Sequence, residues 1–315
     1  MADDVVVVLN YKGRDDTLRC IESLITGSPG AELIVVDNGS NDEVLSHVRR
    51  LWPLAHTLQL GENRGYAGGM NAGIRWAMRA GADTVTVLNN DTLVPPGVIA
   101  ALASRARSGC AVSPEVRYAD GSERVWFGGG VVDRETNLAH HVQERRLPPP
   151  DSEGLRATET LAGCCVTASM TTWRRVGVFD ERYFLNFEDS DWSRRAADAG
   201  VPLVVDTRVH IHHRVSASFT GSYAFLGLYY YARNGLLFGR ERCQGTWLEA
   251  GRFLRRQVLP DLRHHGCDPM EYSLRLVIVA TALSHFARRR MGRAPRWLEV
   301  IAERRASHGR TNAGR

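Results

Sequence analysis

Three short, largely apolar runs, Val5 to Leu9, Leu33 to Val36 and Thr84 to Leu88, each break off into asparagine, aspartate or both, and this recurrence constrains the fold more than anything else in the chain. Each run is too short for a helix and uninterrupted enough to be a strand buried on both faces. Between them the apolar spacing becomes helical. Leu18, Ile21, Leu24 and Ile25 share a face after Asp15-Asp16, and Val44, Leu45, Val48 and Leu51 follow Asn41-Asp42 and stop before Pro53. Gly68 to Ala80 forms a third such segment. Strands alternating with helices predict an α/β protein with a mostly parallel sheet covered by helices. In such sheets ligands bind beyond the carboxyl ends of the strands. The exits here are Asn10-Tyr11-Lys12-Gly13, Asp37-Asn38-Gly39-Ser40 and Asn89-Asn90-Asp91-Thr92, so these are the first places to look for chemistry.

The rest of the chain changes character twice. From about Val112 to Thr158, Gly128-Gly129-Gly130 and Pro148-Pro149-Pro150 suggest hairpins and a loop inserted over the site. From Phe225 the pattern is helical and arginine-rich, with 17 arginines against seven acids on a chain whose net charge is only +5. The expected division is therefore a catalytic domain over 1–224 and a helical region over 225–315 that packs on it. Leu276 to Ala287, the longest uncharged stretch, is too short to span a bilayer and reads as a core or interfacial helix. The six cysteines contain no C-x-x-C pair and no secretory leader precedes them, which predicts reduced, mostly buried thiols and a cytoplasmic address.

Several residues at the strand exits suit a nucleotide-linked substrate. Asp37 can accept the N3–H of a pyrimidine, or it can simply organise a turn or cap the next helix. Asn63 to Asn71 is a glycine-rich turn entering a helix, where backbone N–H groups favour a phosphate, although the glycines can also serve tight turning alone. It matches neither the Walker loop nor the dinucleotide fingerprint. Asp91 can hold Mg²⁺ or Mn²⁺, which complete their coordination with phosphate oxygens. A second ligand must come from elsewhere, and among His210, His212 and His213 the choice falls on His212. Strand alternation puts His210 and His212 on one face and His213 on the other. Glu188-Asp189-Ser190-Asp191 follows an aromatic run and opens a helix, so one acid can be a general base while another complements the helix dipole.

Taken in order, Val8-Leu9-Asn10-Tyr11, Val36-Asp37-Asn38-Gly39-Ser40, Asn63 to Asn71, Leu88-Asn89-Asn90-Asp91, Gly177 to Phe184, Glu188-Asp189-Ser190-Asp191 and Tyr229 to Asn234 resemble the family 2 inverting glycosyltransferases, most closely a bacterial rhamnosyltransferase-like branch. The resemblance runs over about residues 5 to 235. It implies the GT-A fold, a Rossmann-like mostly parallel sheet flanked by helices, here with a C-terminal helical extension. It further implies a nucleotide-sugar donor, dTDP- or UDP-linked, held by Asn10, Tyr11, Asp37, Asn38, Arg64, Gly69, Asn71, Asn89, Asn90 and Arg194. Asp91 and His212 would bind the metal, Asp189 with its neighbour Glu188 would do the acid–base chemistry, and Arg194 or Arg195 would stabilise the diphosphate. Asn89 departs from the wider family's Asp-x-Asp pattern and weakens the metal site. The acceptor implied is a hydroxyl on a lipid-linked glycan or a small natural product. No nucleic acid is expected as a partner, a peripheral contact with the inner membrane face through 225–315 is, and the reading leaves room for a homodimer. Two other readings compete. A sugar-phosphate nucleotidyltransferase would need a basic triphosphate loop, for which only Lys12-Gly13-Arg14 is available, and an arginine-rich nucleic-acid-binding protein is suggested by the C-terminal charge alone.

Overall fold

The computed structural model describes residues 3–141, 147–215, 224–263 and 269–312. The chain divides into two compact units. The first comprises Met1–Val132, Ala139–Glu181 and Glu188–Val215, and the second Asp133–Leu138, Arg182–Phe187 and Ser216–Arg315. The second unit thus gathers two short segments from within the 1–224 stretch.

In the first unit the expected alternation is β1 (Asp4–Asn10), α1 (Arg14–Gly27), β2 (Glu32–Asp37), α2 (Val44–Leu51), β3 (His56–Gln59), α3 (Gly65–Ala80) and β4 (Thr84–Asn89). A two-residue strand β5 (Thr92–Leu93) and α4 (Val98–Arg107) follow, then β6 (Ala111–Tyr118), β7 (Val125–Phe127), β8 (Gly130–Asp133), β9 (Leu138–His141), β10 (Leu155–Ala157), β11 (Cys165–Ser169), α5 (Met170–Val176), α6 (Glu188–Asp198) and β12 (Leu203–His213). The main sheet runs β10-β12-β6-β11-β4-β1-β2-β3, with β5 on β12 and β7 on β6. Strands β4, β1, β2 and β3 are mutually parallel, and β11 is inserted antiparallel between β4 and β6. Contrary to the expected insertion from Val112, β6 is a central strand, so the inserted part begins only after Tyr118.

Alternation along β1 explains why the run is apolar throughout. Val6 and Val8 join a core with Cys20, Ile21 and Leu24 of α1 and Leu102 of α4, whereas Val5, Val7 and Leu9 join another with Met70 and Ile74 of α3 and with Trp173 and Trp192. Burying each such side chain contributes about 1.5–3 kcal/mol relative to leaving it in water. Strand register then sets the exits side by side. Asn10 lies opposite Asp37, and Leu9 opposite Asn89, which brings the three polar turns to one edge of the sheet.

The second unit contains α7 (Ala224–Arg242), α8 (Trp247–Phe253), a π-helical turn over Leu254–Val258, α9 (Leu259–Arg263), α10 (Pro269–Ala287) and α11 (Arg296–Asn312). Its anchor is Arg233, fully buried between the Tyr229 and Tyr230 rings, with its Nη1 donating to the Tyr229 hydroxyl at 3.1 Å. The neighbouring Asn234 amide donates to the carbonyls of Tyr183, Leu185 and Asn186 at 2.7–3.1 Å. Phe184, Asn186 and Phe187 adopt φ of +62° to +72°, a costly backbone for non-glycine residues that these contacts hold in place. No described helix is long and apolar enough to cross a membrane. Cys20, Cys110, Cys164 and Cys165 are buried free thiols, Cys243 is a partly exposed one, and Cys267 lies outside the described residues. Burial pushes the Cys20 thiol up to about 12 and that of Cys164 well above its usual value, so neither is a nucleophile at neutral pH.

Candidate active site

The three exits are tied together before any ligand is considered. Asn10 is fully buried, its amide nitrogen 2.9 Å from Asp37 Oδ1 and 3.0 Å from Ser40 Oγ, while its oxygen accepts from the Thr17 hydroxyl at 2.8 Å. Thr17 Oγ1 also accepts from the Asn90 amide at 2.8 Å, so this hydroxyl of α1 joins the first strand exit to the third. Asp37 is 2% exposed, and besides Asn10 it accepts from the Ser40 backbone N–H and, at 2.6 Å, from the Gln59 amide. The carboxylate therefore organises its own turn. Thr17 and Gln59 carry no charge and belong to no motif, which is why sequence reasoning passed over them, whereas Ser40 stands in the second strand exit but was given no role. Tyr11 is partly exposed at the same edge, with the Lys12 ammonium 5.3 Å from its ring centre.

The glycine-rich segment carries packing duties of its own. Asn38 donates to Asn63 Oδ1 and the Gly65 carbonyl and accepts from the Arg64 backbone N–H, all within 3.0 Å, and so is consumed in shaping the turn. A Cβ on Gly69 would lie 2.5 Å from Leu9 Cδ1 and one on Gly73 2.2 Å from Val7 Cγ1, so these glycines let α3 lie close on β1. Asn71 is buried and clasps Phe179 in both directions, accepting its N–H and donating to its carbonyl at 2.9 Å. Gly69 and Asn71 thus have packing roles, and the Arg64 side chain is exposed at the helix entrance.

At the third exit the expected partner of Asp91 changes. His213 Nε2 lies 3.0 Å from Asp91 Oδ1, whereas His212 Nε2 faces Glu123 at 3.6 Å. The cause is register. A bulge in β12 between Asp206 and His210 resets which residues face inward, and β5 then pairs antiparallel so that His213 sits opposite Thr92. Both members of the pair are nearly buried, with side-chain exposures of 7% and 10%. Two polar atoms here, Asn89 Oδ1 and His213 Nδ1, are buried without a partner, an uncommon and costly state that a bound group would relieve. One carboxylate oxygen and one imidazole nitrogen are a donor set that fits a divalent cation with an incomplete protein shell.

The acid cluster opens α6. Trp192 Nε1 donates to the Gly177 carbonyl at 2.8 Å, and the Ser193 hydroxyl accepts from Leu161 N–H at 3.0 Å, which fixes the helix against the sheet. Asp191 is fully buried and paired with Arg195 Nε at 2.8 Å, and the Arg195 Nη1 and Nη2 atoms donate to the carbonyls of Val176 and Val178. Arg194 points elsewhere, to Asp198 at 3.1 Å on the exposed face of the helix, so neither arginine is turned to a diphosphate as expected. Asp189 instead accepts from Gly163 N–H at 2.9 Å and from Ser190 N–H at 2.6 Å. The next residue, Cys164, accepts through its carbonyl from Asn89 N–H, so a single turn of chain links Asp189 to the end of β4. Cys164 accordingly feels the charges of both Asp91 and Asp189. Glu188 is buried, its Oε2 has no partner, and loss of water together with the neighbouring Asp189 pushes its carboxyl up to about 8. At neutral pH it therefore carries a proton while standing beside Asp189. From the inserted strands, Trp126 packs edge-on against His213 at 5.0 Å and against His141 at 4.6 Å. His141 reaches solvent, but its ring lies among Trp126 and Phe127, and desolvation there holds its imidazole below the usual value.

Comparison with known proteins bears on the family and the fold. The family model described as "Glycosyl transferase family 2" matches residues 5–175. The N-acetylglucosaminyl-diphospho-decaprenol L-rhamnosyltransferase of Mycobacterium tuberculosis is 30% identical over 268 residues, covering 77% of this chain and 85% of that one. The low-salt glycan biosynthesis hexosyltransferase Agl10 of Haloferax volcanii is 27% identical over 237 residues, 71% of this chain and 72% of its own. Among solved structures, the mannosyltransferase PcManGT of Pyrobaculum calidifontis, in complex with GDP-Man and Mn²⁺, superposes with a TM-score of 0.55 at 18% identity, covering 99% of this chain and 81% of that one, and shares the GT-A fold.

Proposed function

The chain belongs to glycosyl transferase family 2 and is a glycosyltransferase, and on that premise we propose that it transfers L-rhamnose from dTDP-rhamnose to an acceptor hydroxyl with inversion at the anomeric carbon. The observation that carries the reading is the placement of Asp91–His213 and of Asp189 on either side of the Gly163–Cys164 turn, one pair suited to a cation and the other acid to a base. The rhamnosyl donor is favoured by the rhamnosyltransferase among the relatives, and a lipid-linked glycan acceptor by that relative's diphospho-decaprenol substrate. A UDP-sugar is the second choice of donor.

In this reading Asp189 takes the proton of the acceptor hydroxyl, and the freed oxygen attacks the anomeric carbon opposite the departing nucleotide diphosphate. The N–H groups of Gly163 and Ser190 aim the carboxylate. Glu188, protonated, adds no second negative charge at the point where the acceptor must lose a proton. A Mg²⁺ or Mn²⁺ ion held by Asp91 and His213 would supply charge neutralisation on the leaving diphosphate. Asn89 offers its unpaired oxygen to a donor hydroxyl. Asp37 would read a pyrimidine N3–H in the place now taken by the Gln59 amide. Exposed Trp247 and Leu248 on α8, with Met270, Leu276 and Val277 on α10 among the arginines of the second unit, suit contact with an anionic membrane surface that carries the acceptor, at the cytoplasmic face. The nucleotidyltransferase and nucleic-acid-binding readings are not retained.

The test is turnover of a panel of dTDP-, UDP- and GDP-sugars in Mn²⁺, with the anomeric configuration of the product read by NMR. Asp189→Asn is expected to lose transfer by at least about a thousandfold while donor affinity stays within a few-fold. Turnover near wild type in that variant, or a product of retained configuration, would remove Asp189 as the base.

A further inference from the structure

The bulge that turns His213 inward leaves His210 and His212 together on the opposite face of β12, and neither has a part in the chemistry above. Their rings stand edge to face with centres 5.2 Å apart. Opposite them, on the turn between β6 and β7, Glu123 presents its carboxylate, with Oε1 3.6 Å from His212 Nε2. One ligand atom from each of the three side chains lies within 4.8 Å of the others. The second oxygen of Glu123 accepts from Arg117 Nη1 at 2.6 Å, and Arg117 Nε is itself held by the buried Glu115 at 3.0 Å. The carboxylate is thereby oriented with one oxygen anchored to Arg117 and the other turned to the two imidazoles.

We propose that Glu123, His210 and His212 form a binding site for a borderline transition-metal cation of the Zn²⁺ class, distinct from the Asp91–His213 pair and independent of the transferase reading. Histidines at i and i+2 of a strand share a face, so a rigid ladder presets two ligands, and the turn supplies the third. Two imidazoles and one carboxylate are the ligands of open zinc sites, with a fourth position left to water, and the partial exposure of all three side chains leaves room for it. Tetrahedral coordination with bonds near 2.05 Å needs donor separations of about 3.3 Å. Imidazole-rich donors discriminate against Mg²⁺, so the ion that serves the diphosphate would not fill this site. Occupation would tie the β6–β7 turn to β12, one residue before His213. The Arg117 guanidinium at the same carboxylate opposes a second cation and holds the site to moderate affinity.

The experiment is calorimetric titration of untagged full-length protein with ZnCl₂, repeated on His210→Gln, Glu123→Gln and Asp91→Asn, with folding checked by circular dichroism. Wild type and Asp91→Asn are expected to take up one equivalent that is lost or weakened at least about tenfold in His210→Gln and in Glu123→Gln. Co²⁺ in its place should give the intense visible absorption of a four-coordinate site in wild type and not in His210→Gln. Absence of a stoichiometric equivalent in wild type overturns the proposal. So does zinc uptake that survives both substitutions, or uptake that disappears in Asp91→Asn but not in His210→Gln.

Discussion

The protonated state of Glu188 can be tested through folding stability, without any substrate. Its carboxyl stands at about 8, up from 4.5, because it is buried and because Asp189 and Asp191 lie close. The folded-state value is raised above the unfolded one, so between pH 4.5 and about 8 the folded chain keeps a proton that the unfolded chain has lost. Stability from this group is complete below the lower value and falls as pH rises through the window, at up to about 1.4 kcal/mol per pH unit. The whole shift corresponds to about 5 kcal/mol. Glu188→Gln is neutral at every pH and nearly the same shape, so the difference between variant and wild type isolates this contribution. Urea unfolding followed by tryptophan fluorescence, in which Trp192 on the same helix reports, should show Glu188→Gln gaining on wild type by about 3 kcal/mol between pH 5 and pH 7.5. A difference that stays constant over that range, or one that moves in favour of wild type as pH rises, would refute the reasoning. Carboxyl-carbon NMR of Glu188 gives the same answer directly, as a midpoint near 8.

His213→Ala should weaken Mn²⁺-dependent binding of the nucleotide donor by at least about tenfold, while His212→Ala leaves it within about twofold, measured by calorimetry with and without the ion; the reverse ranking would restore His212 to the site. Gly73→Ala gains helix propensity of up to about 1 kcal/mol but drives a methyl to within 2.2 Å of Val7, and a net loss of about 1–3 kcal/mol is expected in urea unfolding, with net stabilisation counting against the packing role of the α3 glycines. Asn234→Ala removes the donor shared by three carbonyls and should cost about 1–3 kcal/mol, read as a lowered unfolding midpoint; an unchanged midpoint would show that the 183–186 loop holds its shape unaided.

What could be read in the sequence, and what could not, follows from how far each inference had to reach along the chain. Val5 to Leu9 is apolar at every position, and only a strand covered on both sides satisfies that, so the sheet and its helices were legible from local pattern alone. Asp189 and Asp91 stood out because carboxylates after apolar runs are expensive to place without a purpose. The failures concern which way a recognised residue faces. Alternation separated His213 from His210 and His212, yet choosing between the two faces required knowing that β12 bulges before His210 and that β5 pairs with it, and both facts depend on partners more than 90 residues away. Gly69 stands in a segment that fits a phosphate loop, and only its distance to Leu9 shows that it also lets α3 lie close on β1. Arg194 and Arg195 are adjacent in sequence but about 100° apart on a helix, so one meets Asp191 and the other Asp198. The same geometry explains why the site holds acids that a sequence would mark as equivalent. Of the three in Glu188-Asp189-Ser190-Asp191, Asp191 is neutralised by an arginine and Glu188 by a proton. Among the described residues Asp189 takes only backbone and hydroxyl donors, and no arginine or lysine there pairs with it. A base for an acceptor hydroxyl needs that condition, and the fold produces it by disposing of the other two charges.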